Sequence, residues 1–272
     1  MNILEKIIAR KQTEISESKK HKSVSALENE SLFSRKTISL ARALRSASSP
    51  QIISEFKRKS PSKGIINDQV LPENVTLDYV NAGAVGLSVL TDTDFFGGSF
   101  DDFLKAREAN PGIPMLRKDF IVDEYQLYEA KSIGADVILL IAACLKPSEV
   151  SALSKKAHEL GMEVLLEVHN AGELAESIGE HIDIVGVNNR NLKTFETSIE
   201  TSISLSELIP ASFVKISESG LKDADTIIKL YQHGYKGFLI GETFMKTANP
   251  GAALADLQQD LTQHSNLNPL VL

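Results

Sequence analysis

Four junctions along this chain share one pattern, in which a helical segment ends, a glycine follows and a short apolar run begins. The glycines are Gly83, Gly134, Gly161 and Gly234. Glycine readily adopts the left-handed conformation that ends a helix, and a short run that is apolar throughout is typical of a parallel strand buried on both faces. The pattern therefore predicts a chain built from repeated β-strand and α-helix units.

Eight such apolar runs alternate with helical patterns. We predict strands near residues 51–56, 86–91, 114–118, 136–141, 163–167, 184–188, 214–217 and 237–240. Eight parallel strands, each followed by a helix, close into a barrel. The alternative is an open doubly wound sheet, but its glycine-rich G-x-G-x-x-G turn is not present in the sequence. We therefore predict an α/β fold, a (β/α)8 TIM barrel.

The residues before the first strand have helical patterns of their own. Asn2 and Glu5 have the spacing of a capping box, apolar residues then recur on one face as far as Ile15, and a second helical piece precedes Pro50. We divide the chain into an N-terminal helical extension, residues 1–48, packed on the barrel, and a (β/α)8 barrel catalytic domain, residues 49–272.

The bulk composition excludes several classes of protein. Of the 272 residues, 42% are hydrophobic and 24% are charged, as in an ordinary globular protein. A formal net charge of -7 argues against nucleic-acid binding, which needs clustered Lys and Arg. The single cysteine, Cys144, rules out an internal disulfide, and no apolar stretch has the length of a signal peptide or a membrane span. We expect a cytoplasmic monomer that binds neither nucleic acid nor membrane.

Charged residues stand at the ends of two predicted strands, where a barrel collects its reactive groups. Because side chains alternate along a strand, Glu55 and Lys57 face the same side after the first strand. The third strand changes abruptly from apolar residues to Arg117, Lys118 and Asp119, and we expect one of the two cations to face the barrel mouth. The alternatives are a solvated charge run at the first strand and, at the third, a surface turn in which Asp119 pairs with a lysine.

The fifth and sixth strands end in further polar groups. Glu167 stands among apolar neighbours, so its carboxylate needs either a partner or a raised pKa. A structural ion pair with a distant lysine is the alternative, and His169 fits a loop or helix entry better than a catalyst. Asn188 and Arg190 would place a neutral donor beside an anion clamp, whereas a salt bridge at the barrel rim is an equal alternative for Arg190.

The last two strand ends carry the signals of a phosphate site. Ser219, Gly220, Gly241 and Glu242 follow strands seven and eight, where barrels often bind phosphate through backbone N–H groups. The carboxylate of Glu242 would repel phosphate, so we expect only its backbone to contribute. The six histidines lack metal-ligand spacing. The residues themselves predict acid/base chemistry on a small phosphorylated molecule, with no metal and no cofactor.

Seven motifs carry a resemblance to a known family. In chain order they are E-F-K-R-K-S-P-S, L-T-D with F-F-G-G-S, L-R-K-D-F-I, L-L-E-V-H, G-V-N-N-R-N-L, S-E-S-G and L-I-G-E-T. Together they resemble indole-3-glycerol-phosphate synthase of tryptophan biosynthesis over residues 48–247, including the usual helical extension. The resemblance implies a carboxy-lyase that converts 1-(2-carboxyphenylamino)-1-deoxyribulose 5-phosphate to indole-3-glycerol phosphate, with loss of carbon dioxide and water. Because the chain ends soon after its eighth predicted helix, near residues 252–261, we expect no fused isomerase barrel of the kind that some relatives carry.

The resemblance further implies catalytic roles. Lys118 would be the general acid that protonates the substrate carbonyl, and Glu167 would move a proton in later steps. Lys57 would lie near the substrate carboxylate or phosphate and is a second candidate for the acid. Glu55 and Asn188 would position the ring amine and the hydroxyl groups.

Binding roles follow from the same resemblance. Arg190 would clamp an anionic group, and a set of small residues would line the phosphate region, namely Ser60, Ser219, Gly220 and Gly241. Where some family members have serine after the last glycine, this chain has Glu242, so we expect no side-chain phosphate contact there. Two other functions stay open, a Schiff-base aldolase with Lys118 or Lys57 as nucleophile and a binding protein without activity.

Overall fold

The computed structural model describes residues 2–192 and 194–267, and within them eight parallel strands form a closed barrel. The strands in chain order are β1 (Gln51–Phe56), β2 (Lys59–Ser60), β3 (Gly64–Ile65), β4 (Gly86–Leu90), β5 (Met115–Lys118), β6 (Val137–Ile141), β7 (Glu163–Val168), β8 (Ile184–Asn188), β9 (Val214–Glu218) and β10 (Gly237–Ile240). Strand β1 pairs with both β4 and β10, which closes the barrel, whereas β2 and β3 form a separate antiparallel hairpin. The predicted α/β barrel is confirmed.

Helices cover the outside of the barrel and precede its first strand. They are α1 (Ile3–His21), α2 (Val24–Glu28), α3 (Leu40–Ser46), α4 (Pro72–Asn81), α5 (Phe100–Ala109), α6 (Tyr125–Ser132), α7 (Pro147–Glu159), α8 (Ala171–Ser177), α9 (Glu200–Ser206), α10 (Ala224–Gln232), α11 (Glu242–Met245) and α12 (Pro250–Leu267). A 3-10 turn, Ala142–Cys144, follows β6. None of the described helices combines the length and the apolar character needed to cross a membrane.

The junction glycines explain why the repeat is visible in the sequence. Gly83, Gly134, Gly161 and Gly234 have φ values of 93, 82, 76 and 85°, in the left-handed region where a side chain is strained. Each one stops a helix and turns the chain toward the next strand.

Helix α3 closes the amino-terminal end of the barrel. Leu40 and Leu44 are buried in the apolar cluster that fills the barrel interior. A Cβ atom at Gly86 would lie 2.9 Å from Leu40 Cδ1, and one at Gly237 would lie 3.0 Å from Leu44 Cδ2. Both glycines begin strands, and because they lack side chains they let α3 approach this end of the barrel closely. The polar groups of the barrel therefore collect at its opposite, carboxyl-terminal end.

Helix α1 is fastened to the carboxyl-terminal side of the barrel by a buried lysine. Its predicted capping box at Asn2 is present. Lys11 is only 4% exposed, and its Nζ lies 3.0 Å from Asp92 Oδ2 and 3.0 Å from Asp119 Oδ1. Asp92 lies in the loop after β4, and Asp119 directly follows β5. The division of the chain into residues 1–48 and 49–272 stays a prediction. Residues 1, 193 and 268–272 of these two segments lie outside the residues that the structure describes.

Candidate active site

The carboxyl ends of the barrel strands surround a cavity of about 480 Å³. Every residue that the sequence predicted for the site lines this cavity. They are Glu55, Lys57, Ser60, Lys118, Glu167, Asn188, Arg190, Ser219, Gly220, Gly241 and Glu242. The structure therefore brings the complete predicted set together, although their roles remain predictions.

Lys118 lies between two carboxylates. Its Nζ is 2.6 Å from Glu218 Oε2 and 3.0 Å from Glu167 Oε2. Burial lowers the pKa of Lys118, but the carboxylates of Glu218, Glu167 and Glu55 outweigh burial and raise it above that of an ordinary lysine. The side chain is therefore an ammonium ion at neutral pH.

The neighbouring cation, Arg117, points away from the cavity. Its Nη2 lies 3.0 Å from Asp119 Oδ2 and 3.4 Å from Glu129 Oε2, and its side chain is 2% exposed. The expectation that one cation faces the mouth is confirmed, and that cation is Lys118. The alternative of a surface turn is wrong, because Asp119 is buried between Arg117 and Lys11.

Glu167 has a partner on each carboxylate oxygen. Asn188 Nδ2 donates to Oε1 over 3.0 Å, and Lys118 lies at Oε2. Burial raises the pKa of Glu167, but Lys118, His169 and Asn188 together hold it below its usual range. The ion pair with a distant lysine, considered as the alternative for Glu167, is therefore present. Because that lysine is Lys118, the predicted general acid, the same contact fits both a structural and a catalytic role of Glu167.

Glu218 was missed by the sequence analysis. Although it also contacts Lys118, its pKa is raised, because burial and the nearby Glu167 carboxylate outweigh the ammonium. Its Oε1 is buried without a hydrogen-bond partner in the described part of the chain. A Cβ atom at Gly186 would lie 3.1 Å from that oxygen, so glycine on β8 makes the room that Glu218 occupies. The two carboxylates beside Lys118 are thus biased toward opposite protonation states.

The first strand end supplies a second ion pair. Lys57 Nζ lies 2.6 Å from Glu55 Oε1, and Ser88 Oγ donates to Glu55 Oε2 over 3.3 Å. The expectation that Glu55 and Lys57 point together is confirmed. A Cβ atom at Gly241 would lie 2.6 Å from Glu55 Oε1, so this glycine is required by packing against a carboxylate. Within residues 2–192 and 194–267, no group of three or more His, Cys, Asp and Glu is arranged to hold a metal ion.

Cations gather at the rim near β8, β9 and β10. Arg190 Nη2 lies 3.5 Å from Glu242 Oε2, and Lys63 Nζ lies 3.7 Å from Glu242 Oε1. The rim salt bridge considered for Arg190 is therefore present. The Glu242 carboxylate thus lies beside two cations of the site, and the expectation that only its backbone contributes to phosphate binding stays a prediction. Ser219 and Gly220 have φ values of 71 and 73°, and this left-handed turn carries the chain around the cavity.

The opposite side of the cavity is apolar. Helix α1 contributes Ile3, Leu4 and Ile7, and the loops after β4 and β5 contribute Phe96 and Phe120. The two aromatic rings are tilted, with centroids 5.8 Å apart. The sequence motifs include these phenylalanines, but nothing in the pattern indicated that they line the site.

A comparison of the sequence with models of protein families shows which family the chain belongs to. The model described as Indole-3-glycerol phosphate synthase matches residues 4–257. The chain belongs to the indole-3-glycerol phosphate synthase family. The resemblance inferred from the seven motifs is confirmed.

Relatives that carry this name are similar over nearly their whole length. The indole-3-glycerol phosphate synthase of Bacteroides thetaiotaomicron is 50% identical over 256 residues, covering 93% of this chain and 96% of the relative. That of a Polaromonas species is 42% identical over 259 residues, covering 94% and 98%. Among solved structures, 3-hexulose-6-phosphate synthase from Salmonella typhimurium has a TM-score of 0.61 at 14% identity, covering 79% of this chain and 99% of that one. This last likeness supports the fold alone.

Within this indole-3-glycerol phosphate synthase family site, the structure adds two residues to the predicted set. Glu218 contacts the predicted acid, and His169, expected in a loop or helix entry, lies 3.3 Å from Glu167 Oε1 through its Nε2. Both lie within motifs that the sequence analysis used, Glu218 in S-E-S-G and His169 in L-L-E-V-H. Neither could be selected without knowing which side chains the barrel turns inward.

Proposed function

We propose that Lys118 is the general acid of an indole-3-glycerol phosphate synthase reaction in this chain. Family membership assigns the reaction, the ring closure, decarboxylation and dehydration of 1-(2-carboxyphenylamino)-1-deoxyribulose 5-phosphate. One observation carries the role of Lys118, namely its ammonium group held between Glu167 and Glu218 inside the cavity. An acid that must protonate a carbonyl oxygen has to be charged and within reach before the substrate binds.

The two chemically distinct sides of the cavity fit the two ends of this substrate. The carboxyphenyl ring would pack on the apolar side formed by α1, Phe96 and Phe120. The phosphate would bind beside Arg190 and the backbone near Gly220, where cations already neutralise a carboxylate. The ribulose carbonyl would then lie between them, near Lys118.

Ring closure forms the first new bond. The ring carbon that bears the carboxylate attacks the ribulose carbonyl carbon, and the carbonyl electron pair moves onto oxygen. Lys118 donates a proton to this oxygen, which becomes a hydroxyl group. The ammonium also stabilises the negative charge that develops on the oxygen before the proton is transferred.

Decarboxylation and dehydration complete the indole ring. The bond to the carboxylate breaks, carbon dioxide leaves and the electron pair restores the aromatic ring. The hydroxyl group then leaves as water with a proton from Glu218, while Glu167 removes a proton from the carbon next to nitrogen. The raised pKa of Glu218, caused by burial and Glu167, suits the proton donor. Glu167 becomes a stronger base once Lys118 has given up its charge.

The proton balance of this scheme closes. Lys118 and Glu218 each lose one proton and Glu167 gains one, so the enzyme supplies one proton in all. The conversion of the carboxylate substrate to indole, carbon dioxide and water consumes one proton, which solvent returns. Glu55 would hold Lys57 in place, and Asn188 would fix the oxygen of Glu167 that does not accept the proton.

The Schiff-base alternative requires a neutral lysine. The carboxylates around Lys118 raise its pKa and oppose that state, so the geometry favours acid catalysis. Borohydride treatment in the presence of substrate separates the two mechanisms, because reduction of an imine would leave a stable adduct on the protein. We expect mass spectrometry to find no added mass.

A fluorescence assay for indole-3-glycerol phosphate, started with the ribulose phosphate, tests the function itself. We expect turnover by the unmodified chain without added metal or cofactor. Binding of the substrate without product would instead support a binding protein. We also propose that the chain works as a cytoplasmic monomer, with residues 1–48 as an extension of the catalytic barrel, and light scattering measures the oligomeric state.

A further inference from the structure

A histidine that the scheme above leaves unused lies between two carboxylates at the edge of the cavity. His169 follows β7, and its side chain is 10% exposed. Its Nε2 lies 3.3 Å from Glu167 Oε1, and its Nδ1 lies 3.1 Å from Glu173 Oε2. The ring therefore connects Glu167 to a carboxylate in the first turn of α8.

Glu173 is itself held in place. Its Oε2 accepts the backbone N–H of His169 over 2.8 Å, and its Oε1 accepts from Asn170 Nδ2 over 2.7 Å. The Glu173 backbone N–H is bound in turn by the Asn170 side chain. With both oxygens engaged, Glu173 presents a fixed acceptor to Nδ1, which fixes the plane of the imidazole.

The other ring nitrogen has a different environment. Nε2 is buried and makes no well-aligned hydrogen bond within the described part of the chain. The nearest carboxylate is Glu167, whose Oε1 already accepts from Asn188. A small movement of the Glu167 side chain would complete the contact with Nε2. A buried polar nitrogen requires a partner, and the Glu167 carboxylate is within reach of Nε2.

We propose that His169 is a positioning residue, which as an imidazolium ion anchored by Glu173 orients Glu167 and keeps its carboxylate ionised. The inference rests on the proposed role of Glu167 as a base. It also assigns the reacting oxygen. Oε1 is directed to Asn188 and His169, so Oε2 is the oxygen that becomes free to accept a proton when Lys118 turns to the substrate.

The charges around the ring support this assignment. Burial lowers the pKa of His169, but Glu167 on β7 and Glu173 on α8 raise it to about 10. Cys144 of the 3-10 turn is a further titratable group on a neighbouring element, and burial together with these two carboxylates keeps its thiol neutral by raising its pKa. The imidazolium is among the groups that hold the pKa of Glu167 low.

The test replaces His169 by asparagine and follows the pH dependence of kcat. Loss of the imidazolium raises the pKa of Glu167, so the acid limb of the profile moves to higher pH, by about one pH unit. We expect kcat at neutral pH to fall on the order of 10-fold while KM changes little. Glu173→Gln should shift the same limb in the same direction and by less, which covers the case in which His169→Asn does not fold.

A matched control is available in the same protein. His158 Nε2 lies 2.8 Å from Asp183 Oδ2, which makes it another histidine paired with a carboxylate, outside the cavity. His158→Asn should leave the kcat profile unchanged. A melting temperature that falls in His169→Asn with no movement of the acid limb would overturn the proposal in favour of a purely structural role.

Nitrogen-15 NMR of the imidazole rings gives a readout that does not depend on activity. We expect the His169 signal, identified by its loss in His169→Asn, to report a doubly protonated ring at pH 7.5, and a neutral ring would overturn the proposal. Turnover of Glu167→Gln, measured in parallel, separates the proposed role of Glu167 from the proposed role of His169. Normal turnover in that variant defeats the proposed role of Glu167, whereas lost turnover with an unmoved His169→Asn profile defeats only the role of His169.

Discussion

Lys118 on β5 and Glu218 on β9 stand on opposite sides of the barrel, and their side chains meet across its mouth with 2.6 Å between Nζ and Oε2. Glu167 on β7, halfway between these strands, approaches the same ammonium group. One ammonium nitrogen therefore contacts two carboxylates whose pKa values are shifted in opposite directions.

Replacing Lys118 by alanine removes the proposed acid and leaves Glu167 and Glu218 without their shared cation. We expect kcat/KM in the fluorescence assay to fall on the order of 10²- to 10⁴-fold. Lys155→Ala, an exposed lysine on α7, is the control and should keep full activity. Normal turnover by a folded Lys118→Ala protein would contradict the mechanism.

Glu218→Gln should separate activity from stability. The pKa of Glu218 is raised by burial and by Glu167, so its ionised form is unfavourable in the folded protein, and an amide removes that cost. We expect kcat to fall on the order of 10²-fold while the melting temperature at pH 7 stays the same or rises. The exposed Glu207→Gln is the control. Unchanged kcat would show that Glu218 takes no part in proton transfer.

Gly241→Ala tests the close packing under the site. The added Cβ would lie 2.6 Å from Glu55 Oε1 and must displace that carboxylate together with the Lys57 ammonium bound to it. We expect a rise in KM and a loss of kcat, measured by steady-state kinetics. Gly179→Ala, where a Cβ would have no atom within 4 Å, should behave like the unmodified protein.

Asp119→Asn should change how stability depends on pH. Burial raises the pKa of Asp119, but Arg117 and Lys11 outweigh burial and lower it to about 2. A carboxyl group with a lowered pKa stabilises the folded state above the unfolded pKa, and this contribution is lost as pH falls toward the folded value. Urea unfolding should show the largest difference between the two proteins above pH 4, narrowing toward pH 2. A difference that is constant with pH would contradict the assignment.

Lys11→Met tests how α1 is attached. The variant leaves Asp92 and Asp119 buried without their lysine, and breaking a buried ion pair on one side costs about 3–5 kcal/mol of unfolding free energy. Because Ile3 and Ile7 of α1 line the cavity, we also expect KM to rise. Denaturant unfolding and steady-state kinetics measure the two effects. Lys6→Met, on the exposed face of the same helix, should alter neither.

The barrel could be predicted from the sequence because the signals that mark its strands and helices lie within short stretches of the chain. A glycine with positive φ and an apolar run mark each of the four junctions directly, and the predicted strand ends differ from the observed ones by no more than one residue. That single residue mattered at β9. The predicted strand ended at Ser217, whereas β9 continues through Glu218, so the inward-facing carboxylate was excluded.

The remaining features of the site depend on contacts between distant segments. The pairing of Glu242 with Arg190 and Lys63 joins the start of α11 to two separate loops, and no spacing along the chain indicates it. The apolar side of the cavity likewise depends on where α1 lies, which is set by the buried contacts of Lys11. Sequence patterns locate strand ends well, but they do not indicate which loops meet above them.

The apolar and the cationic surfaces lie on opposite sides of one cavity, so the site can distinguish ligands by their length. A molecule that carries only an aromatic ring, or only a phosphate, can engage one side and leaves the other filled with water. We therefore expect that a ligand must be long enough to occupy both ends at once to place its middle atoms beside Lys118. On this basis we expect shorter metabolites with the same phosphate group to be poor substrates.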